Sequence, residues 1–148
     1  MSQKSETPVP VPNFDNAGFW EGCRNHELRI QRCCACSALR HHPRPLCPAC
    51  NSSDYDWHKV SGRGTLYTFT IVHGPTLAAF AAHAPYNVAV VQLDEGPYLV
   101  TNIVEYNGTP LRIGLPVEVV FNDVDATISL PKFRPVKPMS GSAATLKD

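Results

Sequence analysis

The sequence predicts an all-β protein in two parts: a four-cysteine ribbon behind a short N-terminal helix, then a five-stranded barrel. Three observations predict it. Cys33-x2-Cys36 and Cys47-x2-Cys50 flank a ten-residue gap stiffened by Pro43 and Pro45, with Pro48 inside the second pair. From Thr65 onward, short segments rich in β-branched and aromatic residues alternate with turn signals. Hydrophobic residues make up 43% and charged residues 18% of 148, which supplies a core for one ordinary domain or two small modules.

Residues 1–16 are expected to form a flexible or extended lead, because Pro8, Pro10 and Pro12 alternate with valine. Asn16 is the expected cap of a helix over residues 17–24, where Phe19, Trp20 and Cys23 make an apolar stripe. That helix braces the ribbon or, through Phe19 and Trp20, docks onto a partner. With it, residues 17–59 form the first module, in which Leu28, Ile30 and Trp57 are expected strand positions beside the two cysteine turns.

Two C-x2-C pairs let a chain wrap one tetrahedral ion with sulfur at each corner, the closed geometry of structural zinc. Iron, in a rubredoxin-type or iron–sulfur centre, is the alternative. Disulfides suit an extracellular chain, whereas metal suits a reducing compartment. Cys34 is expected to point away from the metal and Cys23 to be an unpaired apolar filler. His41 and His42 could replace a ligand, but four cysteines already fill four positions.

The second module spans residues 60–136. Gly62-Arg63-Gly64 leads into a strand from Thr65 to Val72, and Asn87 to Leu93 is a nearly continuous apolar run. The turn at residues 94–97 precedes a third strand from Tyr98 to Tyr106. Val117, Val119 and Phe121 mark a fourth, and Thr127 to Leu130 begins a fifth. Between the first two strands, His73 to Pro85 is a short helix or a loop. Residues 137–148 are an expected disordered tail.

Zero formal net charge gives no bias toward nucleic acid or an anionic membrane. Residues 1–9 lack an apolar core behind a basic start, so no signal peptide is expected. No apolar run approaches the ~20 residues of a membrane span, and a soluble, cytoplasmic protein is expected. Seven basic residues from Arg24 to Arg63 face three acidic ones, Glu27, Asp54 and Asp56. Cations beside a four-thiolate zinc offset part of its charge, so this excess needs no nucleic acid. Tyr67, Phe69 and Ile71 are read as one face of barrel core rather than base-stacking groups. Lys132, Phe133, Arg134 and Lys137 form a compact basic group able to meet phosphates. No nucleophile elbow, phosphate loop or carboxylate pair appears, so no catalytic residue is assigned. His73, beside Gly74 and Pro75 at a strand end, either fixes its loop or lines a ligand or partner surface.

Taken together, the stretch from Phe19 to Pro75 resembles the DUF35 family, a rubredoxin-like zinc ribbon followed by an OB-fold. The motifs that carry it are Phe19-Trp20, Ile30-Gln31-Arg32-Cys33, Pro43-Arg44-Pro45, both C-x2-C pairs, Gly62-x-Gly64, Val72-His73 and Phe133-Arg134-Pro135. The resemblance covers about residues 17–136. Two departures are Cys34, where the family more often has a polar residue, and Asn51, where glycine is common. Asparagine tolerates the left-handed backbone that such a glycine serves. The resemblance implies a five-stranded OB-fold barrel and a non-catalytic subunit of a hetero-oligomer. Its implied partner is a thiolase-like or lipid-transfer-type enzyme: a thiolase, an acyltransferase or a retro-aldolase. Other members pair with MaoC-type enoyl-CoA hydratases. The barrel is implied to bind or channel the CoA moiety of acyl-CoA, and Lys132, Arg134 and His73 are the candidates on this chain. Phe19 and Trp20 are the docking candidates.

Overall fold

A computed structural model describes residues 7–137. Expectations for residues 1–6 and for the tail from Pro138 lie outside them. The described chain runs α1 (Ala17–Arg24), β1 (Arg29–Cys33), β2 (Leu39–Arg40), β3 (Tyr55–Lys59), β4 (Arg63–Val72), a 3-10 turn (Ala78–His83), β5 (Tyr86–Leu93), β6 (Tyr98–Thr101), β7 (Pro116–Asp123) and β8 (Ser129–Pro135).

The ribbon is an antiparallel sheet in the order β2-β1-β3, with Gln31 opposite Arg40 on one side and Trp57 on the other. Its centre is polar. The buried Gln31 Oε1 accepts from Arg40 Nε at 2.7 Å and from the Arg44 backbone N–H at 2.8 Å. Arg40, only 7% exposed, also donates Nη2 to the Arg44 carbonyl at 3.0 Å and lies over the Tyr55 ring. This network pins the proline-rich gap to the sheet. Gln31→Leu strips the acceptor from a buried guanidinium and a backbone donor, and is expected to cost about 2–3 kcal/mol in a urea melt.

Helix α1 starts where predicted, but not through its expected cap. Asn16 Oδ1 accepts from the Asn13 N–H at 2.7 Å, and no side chain caps the helix. Instead Asn13 Oδ1 accepts from Asp15 and Asn16, forming the turn that feeds the helix. The helix buries Phe19, Gly22 and Cys23. Gly18 lies flat against Trp57 of β3: a Cβ there would sit 2.2 Å from the indole. After the helix, His26 stacks on Phe121 and binds Asp123 at 2.8 Å, joining the ribbon to the barrel.

The barrel sheet runs β6-β5-β4-β7-β8, antiparallel throughout. It closes at a seam where the chain after β6 meets β8: Ile103 bridges Phe133 in parallel, and the Val104 N–H donates to the Phe133 carbonyl at 2.8 Å. The crossing ends β6 at Thr101, so the third strand is shorter than the run to Tyr106 predicted. The fifth begins at Ser129, within the expected opening, and extends to Pro135. The buried Asn87 staples the seam, accepting from the Ile103 N–H at 2.7 Å and donating to its carbonyl at 2.8 Å. The core joins Leu66, Val91, Leu93, Leu99, Val117 and Phe133 to Phe19 and Leu28 of the first module.

One face assignment fails. Tyr67 and Ile71 are 53% and 38% exposed, and only Phe69 packs against the core. β4 opens with Gly64 and Leu66 inward and Tyr67 out, and a bulge between Leu66 and Thr68 then resets the alternation, which brings Phe69 toward the core. There Tyr67 meets Tyr98 edge-on, their ring centroids 5.0 Å apart. Residues 73–85 resolve as a loop containing one 3-10 turn.

Candidate functional site

The four cysteine sulfurs lie within 4.8 Å of one another. Cys33–Cys50 and Cys36–Cys47 are both 3.6 Å apart. That is far beyond a disulfide of about 2.05 Å, but near the ~3.8 Å edge of a tetrahedron with metal–sulfur bonds of about 2.3 Å. Matching turns build it. The Ser37 N–H donates to the Cys33 carbonyl and the Asn51 N–H to the Cys47 carbonyl, at 2.9 and 2.8 Å. Ser37 (φ 63°) and Asn51 (φ 61°) both take the left-handed conformation. Asn51 therefore does the work of the glycine it replaces.

Backbone donors prepare the sulfurs for charge. The Cys36 N–H, with that of Ala35, brings the Cys33 thiol down to about 6, and the Ala49 and Cys50 N–H groups lower Cys47. Cys50 has the Ser52 N–H favouring its thiolate, yet the sulfurs of Cys33 and Cys36 hold it up at about 12. Four crowded thiols cannot all ionise without a shared cation, and a divalent ion supplies it. These residues fit a structural zinc: the donor set is all sulfur and leaves no position for water or substrate. Cys34 is exposed and outside the cluster, and Cys23 is buried with its thiol pushed up to about 12 by burial. Neither His41 nor His42 joins the ligand set.

Three of the seven basic residues from Arg24 to Arg63 are occupied by carboxylates. Arg32 pairs with Asp56 at 2.7 Å, while Arg29 and Lys59 share Glu27 at 2.8 and 3.3 Å. Arg40 is held by Gln31, so four of the seven are bound within the fold.

Two cavities meet at the barrel seam. One, of about 350 Å³, lies between Trp20 of α1, His41 and His42 of the ribbon, and Val100 of β6. The other, of about 570 Å³, is lined by Val9 of the lead together with Phe80, Tyr86, Val104 and Val124. Asn102, Leu130 and Lys132 line both. Lys132 Nζ donates to Asn102 Oδ1, while Asn102 Nδ2 donates to the Asn87 carbonyl. Burial lowers the Lys132 pKa.

His41 packs against Phe19 with its Nδ1 buried and unpartnered. Burial, and secondarily the charge of His42, push its pKa down to about 4 from 6.5. Between those values the unfolded chain binds the proton and the folded one does not, so stability falls as the pH is lowered through that window. At pH 5 the loss is expected to be about 2 kcal/mol relative to pH 7. Urea midpoints of wild type and His41→Leu at both pH values check it: the variant should lack this component.

The other expected site residues scatter. Phe19 is 5% exposed and belongs to the core, which leaves Trp20, half-buried at the smaller cavity, to reach outward. Its edge-on contact with Phe19, at 5.1 Å between centroids, orients that indole. His73 is exposed beyond β4 and lines neither cavity. Arg134 is tied to Glu118 and Glu105 at 3.0 and 3.1 Å. Asn87 and Asn102 went unnoticed in the sequence, although an asparagine opening an apolar strand was a signal.

Known proteins share this arrangement. The rubredoxin-like zinc ribbon domain of ChsH2 matches residues 20–56, and the C-terminal OB-fold domain of ChsH2 matches residues 57–122. A Thermomonospora curvata protein named "Probable enoyl-CoA hydratase alpha subunit" is 42% identical over 139 residues, covering 94% of this chain and 43% of that protein. The chain thus spans less than half of that relative. A "DUF35 domain-containing scaffold protein" of Pyrococcus furiosus is 31% identical over 124 residues, with 80% of this chain and 90% of the relative covered. Among solved structures, a chain of the "Ltp2-ChsH2(DUF35) aldolase" superposes with a TM-score of 0.77 at 42% identity, over 86% of this chain and 98% of that one. With both modules matched in order and their metal ligands in place, the chain belongs to the DUF35 family, as a rubredoxin-like zinc ribbon followed by an OB-fold.

Proposed function

We propose that this chain is a non-catalytic accessory subunit that docks onto a thiolase-like or lipid-transfer-type acyl-CoA enzyme and helps bind or channel its CoA moiety. The observation that carries the reading is the likeness to the DUF35 chain of the Ltp2-ChsH2 aldolase. A closed sulfur site that offers no open coordination position supports a subunit without chemistry of its own. Trp20 and the exposed Tyr67, Tyr98 and Val100 supply apolar surface for a partner. A MaoC-type enoyl-CoA hydratase is the second reading, favoured by the hydratase subunit that contains a region like this chain. Co-expression with the nearest thiolase-like gene and, separately, the nearest hydratase gene tests both. One of them is expected to co-elute with this chain on size exclusion and to lose activity or solubility without it. Candidate enzymes that elute apart from this chain and are fully active alone would sink the accessory role.

A further inference from the structure

We propose that Lys132 and Asn102 form an anion site at the barrel seam, one that takes the carboxylate of an amphiphile whose apolar body fills the larger cavity. The reading does not depend on which enzyme is the partner. Lys132 is a half-buried cation whose only hydrogen-bond partner among the described residues is the neutral Asn102 amide oxygen. Among the described residues the other partly or fully buried cations are better provided: Arg29, Arg32 and Arg134 each have a carboxylate, and Arg40 has Gln31 and the Arg44 carbonyl, whereas Lys132 has Asn102 alone. Neither cavity is lined by a single Asp or Glu, and the other ionisable groups around them are His41, His42, His83, Tyr86 and Tyr106. Desolvating an ammonium without a counter-ion is costly, and a bound anion relieves that cost through a charge-assisted hydrogen bond.

Size and charge narrow the ligand. The larger cavity, at about 570 Å³, falls within the roughly 300–1,000 Å³ of small-molecule sites. Apolar walls from Phe80, Ile103, Val104 and Leu130 stand beside polar groups from Asn87, Asn102 and Asn122, the two faces an amphiphile needs. Lys132 stands at one side of it, and Asn102 Nδ2, which gives one N–H to the Asn87 carbonyl, has its second N–H left for the other carboxylate oxygen. One ammonium matches one negative charge. A diphosphate would bring several charges into an apolar chamber with a single cation to meet them.

Calorimetric titration of the zinc-loaded chain at pH 7.5, with decanoate and with decanol below their aggregation limits, tests the site. Decanoate is expected to bind at least tenfold more tightly than decanol. Lys132→Met should abolish that preference while leaving decanol unchanged, and Lys132→Arg should keep it. Val104→Trp, which fills the cavity, should remove both ligands. Equal affinity for the two in wild type, no decanoate binding, a preference that survives Lys132→Met, or binding that survives Val104→Trp would each overturn the proposal. The wild-type comparison needs no variant to fold. Partner co-elution is a separate measurement, so failure here leaves the accessory role standing or falling by its own test.

Discussion

Replacing Cys47 with serine is expected to unfold the ribbon and abolish partner association together. Cys47 is fully buried, and its sulfur lies 3.6 Å from that of Cys36 across the cluster. A serine oxygen is a poor substitute for a thiolate toward zinc, and the remaining three sulfurs cannot close the tetrahedron. Structural zinc contributes an apparent ~10–16 kcal/mol in zinc-finger peptides, comparable with the ~5–15 kcal/mol that holds a whole domain folded. Beyond the metal the ribbon has Leu28 and Ile30, which it buries in the core shared with the barrel. Its sheet is three short strands around a polar centre, and the Gln31–Arg40 network depends on the gap that the metal closes. Metal analysis should show bound zinc near zero, with circular dichroism and limited proteolysis locating the unfolding before Val60. Because α1 packs its Gly18 against Trp57 of β3, Trp20 loses its support, and co-elution with the partner enzyme should go with the metal. A soluble, zinc-free Cys47→Ser chain that still binds its partner would show that the metal does not hold the docking form.

What the sequence revealed divides along a physical line. Metal spacing is local, so the two cysteine turns, the left-handed Asn51 and the exclusion of Cys34 could be reasoned without coordinates, whereas the left-handed Ser37 came only with them. Strand existence follows from β-branched and aromatic runs, and five barrel strands were visible. Which way a side chain faces was harder. Strict alternation puts Tyr67, Phe69 and Ile71 on one face, but a bulge between Leu66 and Thr68 leaves Tyr67 out and turns Phe69 in, and nothing in the alternation announces it. Polar residues misled for another reason. Asn16 has the chemistry of a cap, yet Asn13 competes for the same turn and wins it. The cationic pair expected at the barrel splits, because residues in register opposite and across the seam decide the outcome. Arg134 faces Glu118 on β7, whereas Lys132 faces Val120 and finds only Asn102, thirty positions away in the chain. Neighbours that distant leave no trace in a local pattern.

Phe133→Ala is expected to cost about 3–5 kcal/mol, the range for emptying an aromatic site in a packed core. Its ring is fully buried, opposite Val119 in the β7–β8 register. Its backbone carries the seam, accepting from the Val104 N–H and donating to the Asn102 carbonyl at 3.1 Å. The side chain thus fills the barrel at the height where the sheet closes on itself. Removing it creates a void beside Ile103, and β8 has no second large residue facing inward at that height. Chemical denaturation should register the loss as a lower midpoint. The zinc content should stay at one ion per chain, because the sheet that carries the cysteine turns pairs only within itself, in the order β2-β1-β3. That contrast separates the two modules experimentally: Cys47→Ser removes the metal and the ribbon, and Phe133→Ala weakens the barrel around an intact metal site. Loss of zinc from Phe133→Ala would instead mean that the shared core through Phe19 and Leu28 couples the modules into one folding unit.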